Sequence, residues 1–246
     1  MEFKIHHIEW NDEKVKNFWN FYNNYPPIED LWFSREVGRE VIRFACKYAN
    51  IEGNVLDYGI GKGHLGAYLM ENPEVGLYAC DFSGETVKNI NNQFQHLKNF
   101  HGCSLVTGFP SGYTENQFDI IFLVEAIEHL TDDYLLPTLT EIRRILKPGG
   151  TIVITTPNDE KLDRQHVVCP DCGCVFHRVQ HIRSFNSESL SELMNRHQFG
   201  KVFCGALNFT DLGKRRMLKK IRNVVRTVVG SDYKAPHLAY IGKKSH

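Results

Sequence analysis

The chain predicts an α/β fold organised as a doubly wound parallel sheet, and three observations point there. Residues 55–66, VLDYGIGKGHLG, join a short apolar run to three alternate glycines, Gly59, Gly61 and Gly63, with a helical opening at 65–70. Phe118–Val124, FDIIFLV, is a continuous apolar run of strand length, the pattern of a central parallel strand covered on both faces. Elsewhere, apolar runs of strand length alternate with helical spacing, as in a parallel sheet wound by crossover helices.

Taken in order, residues 1–31 are rich in aromatics (Trp10, Phe18, Trp19, Phe21, Tyr22, Tyr25) and close at Pro26-Pro27. Residues 32–50 repeat Phe33, Val37, Val41, Phe44, Ala45 and Tyr48 at helical intervals. Residues 1–50 therefore read as a helical cover over a ligand site, or as helices that only pack, since aromatic stripes are commonly core. Residues 76–80 read as a second strand ending at Asp81, and 84–99 as a helix. A weak third strand is expected at 104–107. The run at 118–124 is followed by a helix at 134–146, stopped by Lys147-Pro148-Gly149-Gly150, and a strand at 151–155. Phe185-Asn186-Ser187 opens a helix to His197. Strands at 201–207 and 238–242 are expected to pair antiparallel at the sheet edge.

At 246 residues, with nothing resembling a linker, the chain reads as a single domain: cover 1–50, ligand-binding core 51–158, a Cys/His insert 159–185 and a basic insert 209–235. Lys plus Arg and Asp plus Glu both number 29, so overall charge makes no case for nucleic acid. The start, MEFKIHHIEW, lacks a secretory pattern, and no segment approaches the roughly 18 apolar residues of a membrane span. A cytoplasmic protein is expected. Of seven cysteines, Cys46, Cys80, Cys103 and Cys204 are scattered singly and read as buried reduced thiols, whereas Cys169, Cys172 and Cys174 are clustered.

Glycine suits the 59–63 turn because the backbone needs unusual angles and a ligand must approach it closely. Gly61, Gly63 and Gly66 also fit a dinucleotide fingerprint, and Asp81 lies about where a ribose contact is expected. Asp57 tips the balance. A carboxylate aimed at the ligand suits a cationic amino group better than a pyrophosphate, which favours S-adenosylmethionine over a nicotinamide.

As a set, 55–66, Asp81 in YACDFS, FDIIFLVEAIEHL at 118–130 and LKPGGTIVITTPN at 146–158 resemble the class I S-adenosylmethionine-dependent methyltransferases of the ubiquinone-type, small-molecule group. The resemblance covers residues 35–245. It implies a Rossmann-like seven-stranded sheet with the last strand antiparallel. It also implies a cofactor site with Asp57, Gly59, Gly61 and Gly63 around the methionine and Asp81 on the ribose hydroxyls, flanked by Phe82 and Glu125. Many members carry an acid after the third strand that reaches the adenine. Here the chain reads Val106-Thr107-Gly108-Phe109-Pro110, so Phe109 or backbone groups are expected to serve adenine. Glu125, Glu128 and His129 resemble a set that binds a divalent cation such as magnesium in ubiquinone-pathway O-methyltransferases, although Glu-His-Leu also opens a helix in relatives without a metal. For a hydroxyl acceptor, His129 and His181 are the candidate bases, with Glu128 beside them.

Cys169-x2-Cys172 followed by His177 and His181 offers two thiolates and two imidazoles within a dozen residues, the chemistry of a structural tetrahedral zinc site. Cys174 and His166 are alternates, and an unmetallated loop is the plainer reading. Similar CPxCG…FHxxQHxR segments occur, by resemblance, in a bacterial subgroup often encoded for surface glycan or lipid modification. In 214–229, apolar residues recur at three- and four-residue spacing opposite Lys214, Arg215, Arg216, Lys219, Lys220, Arg222 and Arg226. Such a cationic amphipathic helix can lie on an anionic membrane, grip phosphates or pack with a solvated basic face. The expected function is methylation of a small molecule, sugar or lipid-linked glycan, most readily at oxygen. The alternatives are an RNA methyltransferase, a non-catalytic zinc-bearing interaction module and a nicotinamide oxidoreductase.

Overall fold

The computed structural model describes residues 3–25, 32–212 and 234–245. The basic segment 214–229 lies outside the described residues. Within them, β1 (His6–His7), α1 (Asp12–Asn24) and α2 (Phe33–Ala45) precede β2 (Gly53–Tyr58), α3 (His64–Leu69), β3 (Val75–Asp81), α4 (Gly84–Phe94), β4 (Phe100–Leu105) and β5 (Phe118–Val124). Then come α5 (Asp132–Ile145), β6 (Leu146–Pro157), β7 (His166–Val168), β8 (Cys174–His177), α6 (Ser187–Arg196), β9 (Phe199–Leu207), α7 (Phe209–Leu212) and β10 (His237–Lys244).

Seven strands form one sheet in the order β4-β3-β2-β5-β6-β10-β9. The first five run parallel, while β10 lies antiparallel between β6 and β9. This is the expected Rossmann-like sheet with its last strand reversed. Strand alternation splits the core into two layers. Leu56, Ile121, Leu123 and Ile154 point to one face, where Leu139 and Ile142 of α5 and Leu190 and Met194 of α6 cover them. Val55, Ile120, Phe122 and Val153 point to the other, against Val41 and Phe44 of α2 and Leu65 and Leu69 of α3. Because both faces are buried, 120–124 reads as unbroken apolar sequence, and the one charged residue of the run, Asp119, sits near its start and pairs with Lys147.

Several boundaries differ from the sequence reading for local reasons. Helix α4 stops at Phe94, not Asn99, because Phe94 is its last buried residue and the residues after it are mostly exposed. Strand β4 begins earlier than expected, since Phe100 pairs with Leu77 of β3. The Lys147–Gly150 stretch ends α5 but runs extended as the start of β6. Cys80 and Cys103 are buried as expected, whereas Cys46 is exposed where α2 ends. A second, three-stranded sheet was not foreseen: β7 and β8 form an antiparallel hairpin within the insert, and β1 adds to β8 in parallel.

Candidate active site

The site is built at the carboxyl ends of β2, β3 and β5, where parallel strands deliver their terminal side chains and the helices begin. Gly59, Gly61 and Gly63 all adopt positive φ, 80°, 51° and 79°, so the backbone after β2 doubles back close to the strand ends. Gly63 is the most constrained. A Cβ there would sit 2.8 Å from Ile90 and 3.0 Å from Phe94 of α4, so the third glycine lets the turn pack against the helix after β3. The Gly61 N–H donates to Asp81 Oδ2 (3.2 Å) and the Ser83 N–H to Oδ1 (2.9 Å), locking the second carboxylate beneath the turn.

Asp57 is only 3% exposed, and its Oδ2 has no hydrogen-bond partner. Burial, with the Asp81 charge nearby, pushes its carboxyl up to about 7, and burial pushes Asp81 up to about 6. A buried carboxylate with a free lone pair is unfavourable unless a cation or donor arrives. The methionine ammonium and ribose hydroxyls of S-adenosylmethionine supply such groups, so these residues fit that cofactor. Phe82 is 41% exposed beside Asp81. Phe109 is half-buried, with its ring 6.3 Å from Tyr134.

A second group of side chains follows β5. Glu125 has a left-handed backbone (φ 47°) and does not share a helical turn with Glu128 and His129; those two lie in a 3-10 turn, Ile127–His129. Glu128 is nevertheless buried and Glu125 half-buried, near enough for the Glu125 charge to act on Glu128. Desolvation, opposed by the Thr155 hydroxyl, moves Glu125 up to about 7, and desolvation with the Glu125 charge drives Glu128 well above the usual carboxylate range. Burial and the neighbouring His181 depress His129 to about 3, leaving it neutral.

His181 arrives from the insert. Its Nδ1 lies 2.5 Å from Glu160 Oε2, its Nε2 3.9 Å from Glu128 Oε1, and its ring 4.8 Å from that of His129. Desolvation of Glu160 is outweighed by its contacts with His181 and His177, which hold its carboxyl below the ordinary range. Gln180, fully buried and at φ 59°, fastens three parts together. Its side chain accepts from Trp19 Nε1 (2.7 Å) and donates to the His129 carbonyl (3.0 Å), while its own carbonyl faces His129 Nδ1 (3.3 Å). Helix α1 thus closes over the site. Trp19 meets the His129 ring edge-on at 4.7 Å, Asn20 accepts from Ser83 (3.0 Å), Asn23 donates to Thr86 (2.9 Å), and Tyr22 donates to the Arg178 carbonyl (2.6 Å). Glu160 and Asn20 carry no motif, Gln180 entered only as the glutamine of the FHxxQHxR segment, and only the aromatic run that includes Trp19 hinted at the role of α1.

The zinc set Cys169, Cys172, His177 and His181 does not assemble. In the hairpin, His177 is paired with His166 at one end, while the turn at the other holds Cys169, Cys172 and Cys174. Three residue steps along β8, about 10 Å, separate Cys174 from His177. His177 stands instead with Glu160 and His181, one ligand atom of each within 4.8 Å of the others; its Nδ1 accepts the backbone N–H of His181 (3.1 Å) and of Val179 (3.4 Å), and its Nε2 lies 3.4 Å from Glu160 Oε1. Among the described residues no group of three metal-ligating atoms includes a cysteine. His166 packs edge-on to His177 and joins no such group either.

A family model described as a methyltransferase domain matches residues 31–202, well over half of the chain. The chain belongs to the class I S-adenosylmethionine-dependent methyltransferases. A relative named as a probable S-adenosylmethionine-dependent methyltransferase of Mycolicibacterium smegmatis is 27% identical over 130 residues, 53% of this chain and 47% of that protein. The mouse tRNA N(3)-cytidine methyltransferase METTL2 is 25% identical over 138 residues, 52% of this chain and 35% of that protein. This methyltransferase chain thus matches less than half the length of both. In fold it is similar to the Burkholderia thailandensis 1,6-didemethyltoxoflavin-N1-methyltransferase solved with bound 1,6-didemethyltoxoflavin and S-adenosylhomocysteine, with a TM-score of 0.65 at 16% identity over 97% of this chain and 94% of that one. Among the described residues no helix is long and apolar enough to cross a membrane.

Proposed function

We propose that this methyltransferase transfers the methyl group of S-adenosylmethionine to an oxygen of a small molecule, sugar or lipid-linked glycan. The carrying observation is Asp57, whose unpartnered buried oxygen beside the glycine turn awaits a cationic group. In this reading Asp57 takes the methionine ammonium, Gly59, Gly61 and Gly63 let the methionine part approach the backbone, and Asp81 accepts from the ribose hydroxyls. Phe82 and Phe109 flank the adenosine. When bound, the cofactor supplies a methyl on a sulfonium. The protein's task is then to hold the acceptor in line and exclude water, and α1 with Trp19 covers the site for this purpose. Glu125, Glu128, His129 and His181 face the acceptor side. They favour an oxygen nucleophile because they can take its proton or hold a cation that lowers its pKa.

A second reading, methylation of an RNA, draws on the similarity to the mouse tRNA enzyme and on the basic stretch 214–229. The placement of His129 beneath Trp19 favours a small acceptor. Association of 214–229 with anionic lipid belongs to the same proposal, with liposome flotation as its check. Calorimetric titration with S-adenosylmethionine, S-adenosylhomocysteine and NAD tests the core of it: both adenosyl ligands should bind and NAD should not. A folded protein that binds neither adenosyl ligand would leave only a non-catalytic role. Salt-sensitive RNA binding with methyl incorporation into RNA would move the acceptor to the second reading.

A further inference from the structure

The three clustered cysteines, separated from the histidines by the hairpin register, form a group of their own at the turn between β7 and β8. All three thiols are free and half-buried. The Gly173 N–H donates to the Cys169 carbonyl (2.9 Å), and Gly173 is left-handed at φ 79°, so residues 169–173 close a single turn. Residues three apart on such a turn stand about 5–6 Å apart at Cβ. A disulfide takes about 3.8 Å, so Cys169 and Cys172 need to close by roughly 2 Å. The residues between them, Pro170 and Asp171, are exposed and free to follow.

The sulfurs are not equivalent. The backbone N–H groups of Cys172 and Asp171, joined by the Cys172 thiol, donate to the Cys169 sulfur and hold its thiol below the ordinary value, outweighing burial and the Asp171 charge. Burial pushes Cys46, Cys80, Cys103 and Cys204 the other way, and burial with the sulfurs of Cys172 and Cys169 pushes Cys174 up. A partly exposed sulfur that accepts several hydrogen bonds is the nucleophile of a cysteine pair, and the thiol already directed at it is the resolving partner. Cys174 is placed differently. Strand β8 fixes it opposite His6, and its carbonyl accepts the Cys169 N–H (2.8 Å).

We propose that Cys169 and Cys172 form a reversible disulfide, with Cys169 as the attacking sulfur, and that its closure loosens the hold of the insert on residues 3–25. The oxidant is a low-molecular-weight disulfide. The Cys169 thiolate attacks one of its sulfurs, which forms a mixed disulfide and expels one small thiolate. Cys172 then gives its proton to water and attacks the Cys169 sulfur, expelling the second small thiolate. Both leaving thiolates take up protons. Two protein thiols thus become one disulfide while one small disulfide becomes two thiols. A disulfide that must draw its own turn inward is of the labile, reversible kind. The coupling to residues 3–25 follows from the backbone: the Cys172 and Gly173 carbonyls accept the N–H groups of Lys4 (3.3 Å) and His6 (3.2 Å), so the turn that closes is the one that carries β1. Strand β1 leads into α1, which covers the site. The disulfide itself is independent of the proposed methyl transfer.

The test equilibrates the full, chelator-treated chain with reduced and oxidised glutathione, traps free thiols with iodoacetamide and maps the cysteines by mass spectrometry. A Cys169–Cys172 disulfide should accumulate and be reversed by dithiothreitol. In the reduced protein Cys169 should be alkylated about tenfold faster than Cys174. Cys172→Ser should stop at glutathione on Cys169, and Cys174→Ser should leave the disulfide unchanged. Amide exchange at Lys4 and His6 should rise about tenfold on oxidation. No disulfide in oxidised glutathione, a disulfide that uses Cys174, equal alkylation of Cys169 and Cys174, or stoichiometric zinc held by the cysteines of protein purified without chelator would each overturn the proposal. Unchanged exchange at Lys4 and His6 would overturn its coupling to residues 3–25. Trapping on the parent protein decides even if a variant does not fold.

Discussion

Replacing Asp57 by asparagine should make the ligand-free protein more stable and the cofactor site worse. Asp57 is 3% exposed, and burial with the Asp81 charge raises its pKa from 3.8 to about 7. A folded-state pKa above the unfolded one means that stability is full below about pH 4, falls as pH rises through the folded value, and is flat above it. At 1.36 kcal/mol for each tenfold, the rise corresponds to a cost of about 4 kcal/mol at pH 8. An asparagine side chain keeps the volume and removes the charge. Asp57→Asn should therefore gain about 2–4 kcal/mol in urea unfolding at pH 8, and the gain should shrink by about 2–3 kcal/mol at pH 5, where most of the folded parent is already protonated. Loss of a charged hydrogen bond to the ammonium, about 1.5–3 kcal/mol, should weaken S-adenosylhomocysteine binding some ten- to hundredfold. A variant less stable than the parent at pH 8, a pH-independent difference, or unchanged affinity would each refute the reasoning.

Three further outcomes follow. Gly63→Ala should lose about 2–4 kcal/mol in urea unfolding, since the residue is left-handed at φ 79° and its new methyl meets Ile90 at 2.8 Å; a loss below about 1 kcal/mol would mean that α4 gives way freely. Asp81→Ala should reduce calorimetric affinity for S-adenosylhomocysteine at least a hundredfold, as it removes two ribose hydrogen bonds of about 1.5–3 kcal/mol each together with the anchor of the Gly61 N–H. Trp19→Ala should cost about 1–3 kcal/mol and raise amide exchange across α1 tenfold or more, because the Gln180 hydrogen bond and the His129 ring contact both go; unchanged exchange would show that α1 is held by its other contacts.

The sheet could be read from the sequence because its signals are local. The run at 120–124 is apolar because α5 and α2 cover opposite faces of β5, and the glycines at 59, 61 and 63 are required by positive φ. Asp57 and Asp81 were legible for the same reason, as each ends a strand beside the turn. What stayed hidden depends on contacts distant in sequence. Strand β1 is two histidines, with no apolar pattern to announce it, and exists only because β8 offers an edge. Gln180 and Glu160 are single polar residues whose importance comes from Trp19, His129 and His181 meeting them in space. The cysteines and histidines of the insert were close in sequence, but the register of the β7–β8 hairpin placed them at opposite ends.

Among the described residues, 3–25 and the insert are joined by β1 against β8, His7 on His166, Trp19 on Gln180 and Tyr22 on Arg178. They therefore form one unit of exchange. A chimaera that imports residues 1–25 of a relative alone would leave Gln180 with an unmet buried oxygen and β8 with a bare edge, and should fold poorly. Importing residues 1–25 together with 159–185 should restore folding. Altered acceptor preference is thus expected to travel between members of this family as a pair of segments more than a hundred residues apart in sequence, and a search for specificity determinants confined to either one would miss half of the device.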